Sequence, residues 1–171
     1  MQELVKEMVE LYGDRIYRLA LRYTADHHHA QDITQETFLR ACKNISRFDR
    51  SKEPGPWLFK IACNLCRNWI RDRKDIPVEI DENYLETVEP GPEQVFLIKE
   101  RGKELYDALV DMPLIYREVL LLKHVSDLSY DEISKTLNIN LSLVKNRLYR
   151  GRLMLSEILQ KEVGSDEYVS G

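Results

Sequence analysis

Apolar residues recur along this chain at three- and four-residue intervals almost throughout, and no strand-like alternation of comparable strength competes with them. From Leu4 the stripe runs through Met8, Tyr12, Ile16, Leu19 and Tyr23, which predicts an amphipathic first helix. A break over residues 24–29 follows. The run His27, His28, His29 reads there as a polar inter-helix loop, because three consecutive residues cannot share one helix face to hold a metal. Ala30, Ile33, Thr37 and Ala41 define a second stripe, with Asp32, Gln35, Glu36 and Arg40 turned elsewhere. Residues 46–56 hold Asp49, Pro54, Gly55 and Pro56, so they read as a loop or a short broken turn. A third helix is expected from about Trp57, with Trp57, Ile61, Leu65 and Trp69 along one side and Leu58, Ala62 and Ile70 beside it.

Periodicity then lapses. Pro77, Pro90, Gly91 and Pro92 punctuate an acidic segment that reads as a flexible linker. Beyond it Val95, Ile98, Leu105, Leu109 and Met112 form another helical stripe, and Pro113 suits the first turn of a helix carrying Val119, Leu120 and Leu122. The expected fold class is all-α, two small helical domains joined by a flexible acidic linker.

The most specific local signal lies between Leu128 and Leu155. Ser129 and Glu132 form an S-x-x-E capping box, which marks a helix start. Ile133 and Leu137 share a face, and Asn138 sits where a C-terminal cap needs a left-handed backbone. Asn140 suits the N-cap of a following helix bearing Leu141, Val144, Leu148 and Leu155. That helix carries Lys145, Arg147, Arg150 and Arg152 with no acid among them. Two helices joined by such a turn make a helix-turn-helix, whose second helix lies in the major groove. The competing reading is an ordinary helical hairpin with a solvated basic face.

A formal net charge of −4 over 171 residues looks wrong for a nucleic-acid protein, but the average hides the distribution. Residues 1–74 carry fourteen basic and ten acidic side chains, a net of +4, whereas residues 75–100 carry one basic and eight acidic, a net of −7. The basic charge that matters is local. The N-terminal MQELVKEMVEL has no basic region followed by an apolar run, so it is no signal peptide, and no apolar stretch approaches the roughly 20 residues a bilayer requires. Cys42, Cys63 and Cys66 are odd in number; Cys63 and Cys66 form a C-x-x-C inside a helical pattern without a second ligand pair, which favours a reduced structural pair over a metal or redox site.

Five blocks in order carry a resemblance: AQDITQETFLRA (Ala30 to Ala41), RFD (Arg47 to Asp49), WLFKIACN (Trp57 to Asn64), MPLIYREVLLL (Met112 to Leu122) and the helix-turn-helix. Together they resemble an extracytoplasmic-function sigma factor of the sigma-70 family over about residues 5–160. The resemblance implies a region 2 domain over 1–75, a linker over 76–93, a region 4 domain over 94–162 and a tail over 163–171. It implies that Asp32, Gln35, Glu36 and Phe38 bind core RNA polymerase, through its beta and beta-prime subunits, with Asp32, Gln35 and Glu36 forming charge-assisted pairs with an Arg-rich coiled coil. It implies that Trp57, Lys60, Asn64, Arg67, Asn68 and Arg71 serve the −10 element, with Asn64 at the position that contacts an unstacked base. By itself a Trp four residues before Ile61 reads most often as core. Ser142, Lys145, Asn146, Arg147, Arg150 and Arg152 would serve the −35 element.

The sequence departs from the family at Cys63, often Arg there, and at Ser134, Asn138, Leu143 and Asn146, which stand for the more usual Ala, Gly, Thr and Ser. The resemblance implies promoter DNA and an anti-sigma factor as further partners, a cytoplasmic location without membrane insertion, and no catalytic residue, metal or cofactor. Two other readings of the residues are a helix-turn-helix regulator acting without polymerase and a thiol redox enzyme built on Cys63 and Cys66.

Overall fold

A computed structural model describes residues 2–73 and 102–169, and every regular element among the described residues is helical. These elements are α1 (Gln2–Thr24), α2 (His27–Asn44), a 3-10 turn (Ile45–Arg47), α3 (Pro54–Arg71), α4 (Gly102–Asp111), α5 (Leu114–His124), α6 (Tyr130–Leu137) and α7 (Leu141–Val169). The all-α expectation holds. The proposed acidic linker over 76–93, with Pro77, Pro90 and Pro92, lies outside the described residues, as do Val95 and Ile98.

The chain divides into two compact units. One spans residues 1–77 with 121–140, the other 78–120 with 141–171. In the first, α1, α2 and α3 pack on one another and α6 packs on α3. Its core takes Met8, Ile16, Leu19 and Tyr23 from α1, Ala30, Ile33 and Ala41 from α2, and Leu58, Phe59, Ala62, Cys63 and Cys66 from α3. Gly55 in the first turn of α3 allows the close approach: a Cβ there would lie 3.0 Å from the Tyr12 ring. Arg15 fastens the far end of this unit. Its Nε and Nη2 donate to the Ser126 carbonyl at 3.0 and 2.5 Å, and its guanidinium lies 5.5 and 5.3 Å from the ring centroids of Tyr12 and Phe59. In the second unit α4 packs on α7, with Leu105, Ala108, Val144, Leu148, Leu155 and Leu159 buried. A Cβ on Gly151 would meet Leu120 at 3.2 Å, so only glycine lets α7 pass this close to α5 without displacing it.

Several boundaries differ from the sequence reading. His27, His28 and His29 are not a loop but the first turn of α2. Ala25 ends α1 in the left-handed region at φ 51°, and Asp26 caps α2 by accepting from the His29 backbone N–H at 2.9 Å. The chain reverses in two residues and leaves the histidines helical. α3 starts at Pro54, three residues before the expected Trp57, because prolines in a first turn need no N–H donor. Its inward face is Leu58, Phe59, Ala62, Cys63 and Cys66, whereas Trp57, Ile61, Leu65 and Trp69 are half-buried at its border. Pro113 precedes α5, its carbonyl accepting from the Tyr116 and Arg117 amides. α7 runs on to Val169, through the segment read as a separate tail.

Candidate nucleic-acid and polymerase interface

The turn between α6 and α7 is built as its residues dictate. The Ser129 hydroxyl accepts from the Glu132 amide at 3.1 Å while the Glu132 carboxylate accepts from the Ser129 amide at 2.7 Å, completing the capping box. Asn138 takes the left-handed conformation at φ 54° and ψ 47°. The Ile139 amide donates to the Ser134 carbonyl at 3.2 Å, and the Ser134 hydroxyl returns a 2.6 Å bond to the Ile139 carbonyl. Ser134 therefore supplies a side chain that ties the turn, and α7 begins at Leu141, directly after Asn140.

On α7, Ser142 and Lys145 are exposed and Asn146, Arg147 and Arg150 are half-buried. Arg152 is 7% exposed, unlike the other residues of α7 expected to face the DNA. It lies four residues beyond Leu148 and three before Leu155, both buried, so it borders the buried row of α7.

On α3 the polar residues stand clear of the core. Lys60, Asn64 and Arg71 are exposed, and Arg67 and Asn68 are half-buried. The Asn64 side-chain oxygen accepts from Arg67 Nη1 at 3.0 Å, which orients the carboxamide with its two N–H donors unused by that bond. Trp57 stacks on Phe48 of the preceding loop, centroids 4.7 Å apart and planes at 21°. Trp57 is thus neither a core residue nor a free surface side chain: it forms a partly exposed aromatic shelf at the start of α3. Cys63 and Cys66 are buried in the packed face of α3 without a disulfide.

On α2, Ile33 and Thr37 face the core, with Asp32 and Gln35 exposed and Glu36 and Phe38 half-buried. Glu36 is already engaged by Arg40, N to O 2.6 Å, and that hydrogen bond holds its carboxyl below the usual range. Leu39, 53% exposed beside Phe38, is an exposed apolar side chain that the sequence reading left out. Among the described residues no group of three His, Cys, Asp or Glu side chains could hold a metal ion. Nor is any helix among them long and apolar enough to cross a membrane.

A capped helix-turn-helix, and a helical bundle with amides and basic groups on its exposed face, are features of helical DNA-binding transcription proteins. Residues 8–76 match the family Sigma-70 region 2 and residues 102–155 match Sigma-70, region 4. The chain is 36% identical over 172 residues to the ECF RNA polymerase sigma factor SigW of Bacillus subtilis, covering 95% of this chain and 90% of that protein. It is also 36% identical over 158 residues to the corresponding SigE of Mycolicibacterium smegmatis, covering 91% of this chain but 61% of that longer relative. The fold is shared with CnrH, solved with the cytosolic domain of CnrY, at TM-score 0.73 and 22% identity over 94% of this chain and 90% of that one. It is shared too with the sigma factor RpoE of Bartonella quintana, solved with the anti-sigma factor NepR, at TM-score 0.70 and 21% identity over 94% and 98%. The chain belongs to the extracytoplasmic-function sigma factors, which bind core RNA polymerase and direct it to specific promoters. That membership sets aside a regulator acting without polymerase.

Proposed function

We propose a division of labour among the helices of this sigma factor. Asp32, Gln35, Glu36 and Phe38 on α2 hold the polymerase clamp, with the Glu36 carboxylate exchanging Arg40 for an arginine of the polymerase. Asn64 on α3 pairs with the edge of an unstacked base of the −10 element, while Lys60, Arg67, Asn68 and Arg71 hold the strand around it and Trp57 offers its stacked face. Ser142, Lys145, Asn146, Arg147 and Arg150 on α7 meet the −35 element, and Arg152 supports that helix from within. The functional modules are residues 1–75 and 94–162, joined by a tether over 76–93. The protein acts in the cytoplasm as an initiation factor without catalysis of its own, and a clamping anti-sigma protein competes with polymerase for α2 or with DNA for α7.

The observation that carries this reading is the exposed Asn64, oriented by Arg67 on a helix whose opposite face is fully packed. Asn64→Ala removes hydrogen bonds to a base edge, worth about 1–3 kcal/mol, while leaving the fold and core binding intact. Permanganate footprinting of the reconstituted holoenzyme should show reduced opening of the −10 region. Full reactivity with the variant would overturn the assignment.

A further inference from the structure

Where the first turn of α2 meets the end of α3, four side chains outside the surfaces assigned above form a network. The guanidinium of Arg73, two residues past the end of α3, lies 4.2 Å from the ring centroid of Trp69. Its Nη2 is 2.9 Å from His29 Nε2, and the His29 ring meets Trp69 edge-on with centroids 5.6 Å apart. Asp26 closes the chain with a carboxylate oxygen 3.0 Å from His29 Nδ1. That oxygen is aligned on the His29 backbone N–H, so its attraction for the ring is electrostatic more than a directed bond.

The chemistry of the donors fixes the arrangement. A guanidinium only donates, so Nε2 of His29 must be the acceptor and the ring proton must sit on Nδ1, toward the carboxylate. The indole N–H of Trp69 is buried without an acceptor, so the ring contributes its face as a platform for the cation. Arg73 is therefore held in one conformation before any ligand arrives. Its bond to His29 uses one of five N–H donors, and the side chain remains exposed. From Lys60 to Arg73 the chain carries Lys60, Arg67, Arg71 and Arg73 against the single acid Asp72. An exposed, pre-oriented fork donor at the end of such a run suits a phosphate, which it meets without first losing its own rotamer freedom.

We infer that Arg73 is a phosphate-holding arm at the end of the −10 surface and that His29, from the neighbouring helix, is the positioning residue that keeps it in place. The inference rests on the reading of α3 given above. A phosphate contact and a positioning residue leave different marks on salt dependence. In holoenzyme binding to promoter DNA across a salt series, Arg73→Ala should lower the slope of log affinity against log salt by about 0.7–0.9. It should also weaken binding about three- to tenfold. His29→Ala should weaken binding by a similar factor with the slope unchanged, because no charge on the DNA-facing side is lost. His29→Gln, whose amide oxygen supplies an acceptor, should recover most of the loss.

If Arg73→Ala leaves the slope unaltered and His29→Ala and Arg73→Ala only lower the unfolding temperature together, the network is a staple between two helices and the inference falls. Asn64→Ala is measured alongside. If it impairs opening while Arg73→Ala keeps the wild-type slope, the arm alone is wrong. If neither variant affects promoter DNA, the reading of α3 falls and the arm with it.

Discussion

The two helices proposed to touch promoter DNA carry their polar groups in opposite ways. α3 separates its faces: Leu58, Phe59, Ala62, Cys63 and Cys66 are buried, while Lys60, Asn64 and Arg71 stand in solvent. α7 grades them, from exposed Lys145 through half-buried Arg147 and Arg150 to Arg152 in the interior. Equal basic character along the two stretches thus conceals unequal roles. On α3 charge and structure occupy different residues, and a change to one leaves the other alone. On α7 part of the charge is structure, and a count of Lys and Arg overstates what DNA can reach.

The largest effect that probes this separation is on the packed side of α3. Phe59 is fully buried and meets Tyr12 edge-to-face at 6.3 Å. Phe59→Ala should destabilise the fold by about 3–5 kcal/mol, read as a shift in urea unfolding. If Lys60→Ala, on the exposed side one residue away, cost a comparable amount, the division of α3 into two independent faces would be wrong.

Next comes the gradient on α7. Arg152→Ala removes a buried cation, and should cost about 2–3 kcal/mol of stability with no change in the salt slope of promoter binding. Lys145→Ala should do the reverse, changing stability by less than about 0.5 kcal/mol and lowering the slope by about one. A lowered slope for Arg152→Ala with unchanged unfolding would return Arg152 to the DNA-facing set.

What could be read from the sequence, and what could not, follows from range. The capping box of Ser129 and Glu132 and the left-handed Asn138 were legible because each involves groups within a few residues. The beginning of α2 was not. Asp26 can cap it only because α1 stops at Thr24 and Ala25 takes the left-handed region, which nothing in an alanine signals. The inward face of α3 was misread because two neighbouring rows are both apolar and only tertiary packing chooses between them. Arg15 on the Ser126 carbonyl joins residues 111 apart, and Arg73 on His29 residues 44 apart, so neither has a local signal. The three histidines after an aspartate were a usable hint, since Asp followed by a helix-compatible run is an N-cap pattern.

A smaller effect tests how firmly the α6–α7 turn is specified. Asn138→Ala keeps the length of the turn but puts an ordinary Cβ residue at φ 54°, at a cost of about 1 kcal/mol. Asn138→Gly should be neutral or slightly stabilising, since glycine adopts that region freely. Ser129→Ala should cost about 1 kcal/mol through the lost cap. Calorimetric unfolding distinguishes these, and an Asn138→Ala variant as stable as wild type would show that the turn relaxes to another conformation.

The caps of α2 and α6 differ in one further respect, which gives the smallest and most specific prediction. Ser129 caps α6 with a hydroxyl that does not titrate, whereas Asp26 caps α2 with a carboxylate. The His29 backbone N–H holds the Asp26 carboxyl below its ordinary value against the opposing effect of burial, with a lesser contribution from the His29 side chain. A carboxyl depressed in the folded state contributes stability that is complete above its unfolded value. That contribution is lost as pH falls through the folded one. The cap of α2 should therefore weaken in the acid range below about pH 4, together with the Glu36–Arg40 pair, whose carboxyl is depressed in the same direction. Asp26→Asn keeps an oxygen acceptor at every pH and should flatten part of this acid limb without shifting neutral-pH stability strongly, because Asn caps nearly as well as Asp. Unfolding midpoints of wild type and variant between pH 3 and pH 7 decide it: curves that stay parallel throughout would mean that the Asp26 charge contributes nothing to the start of α2.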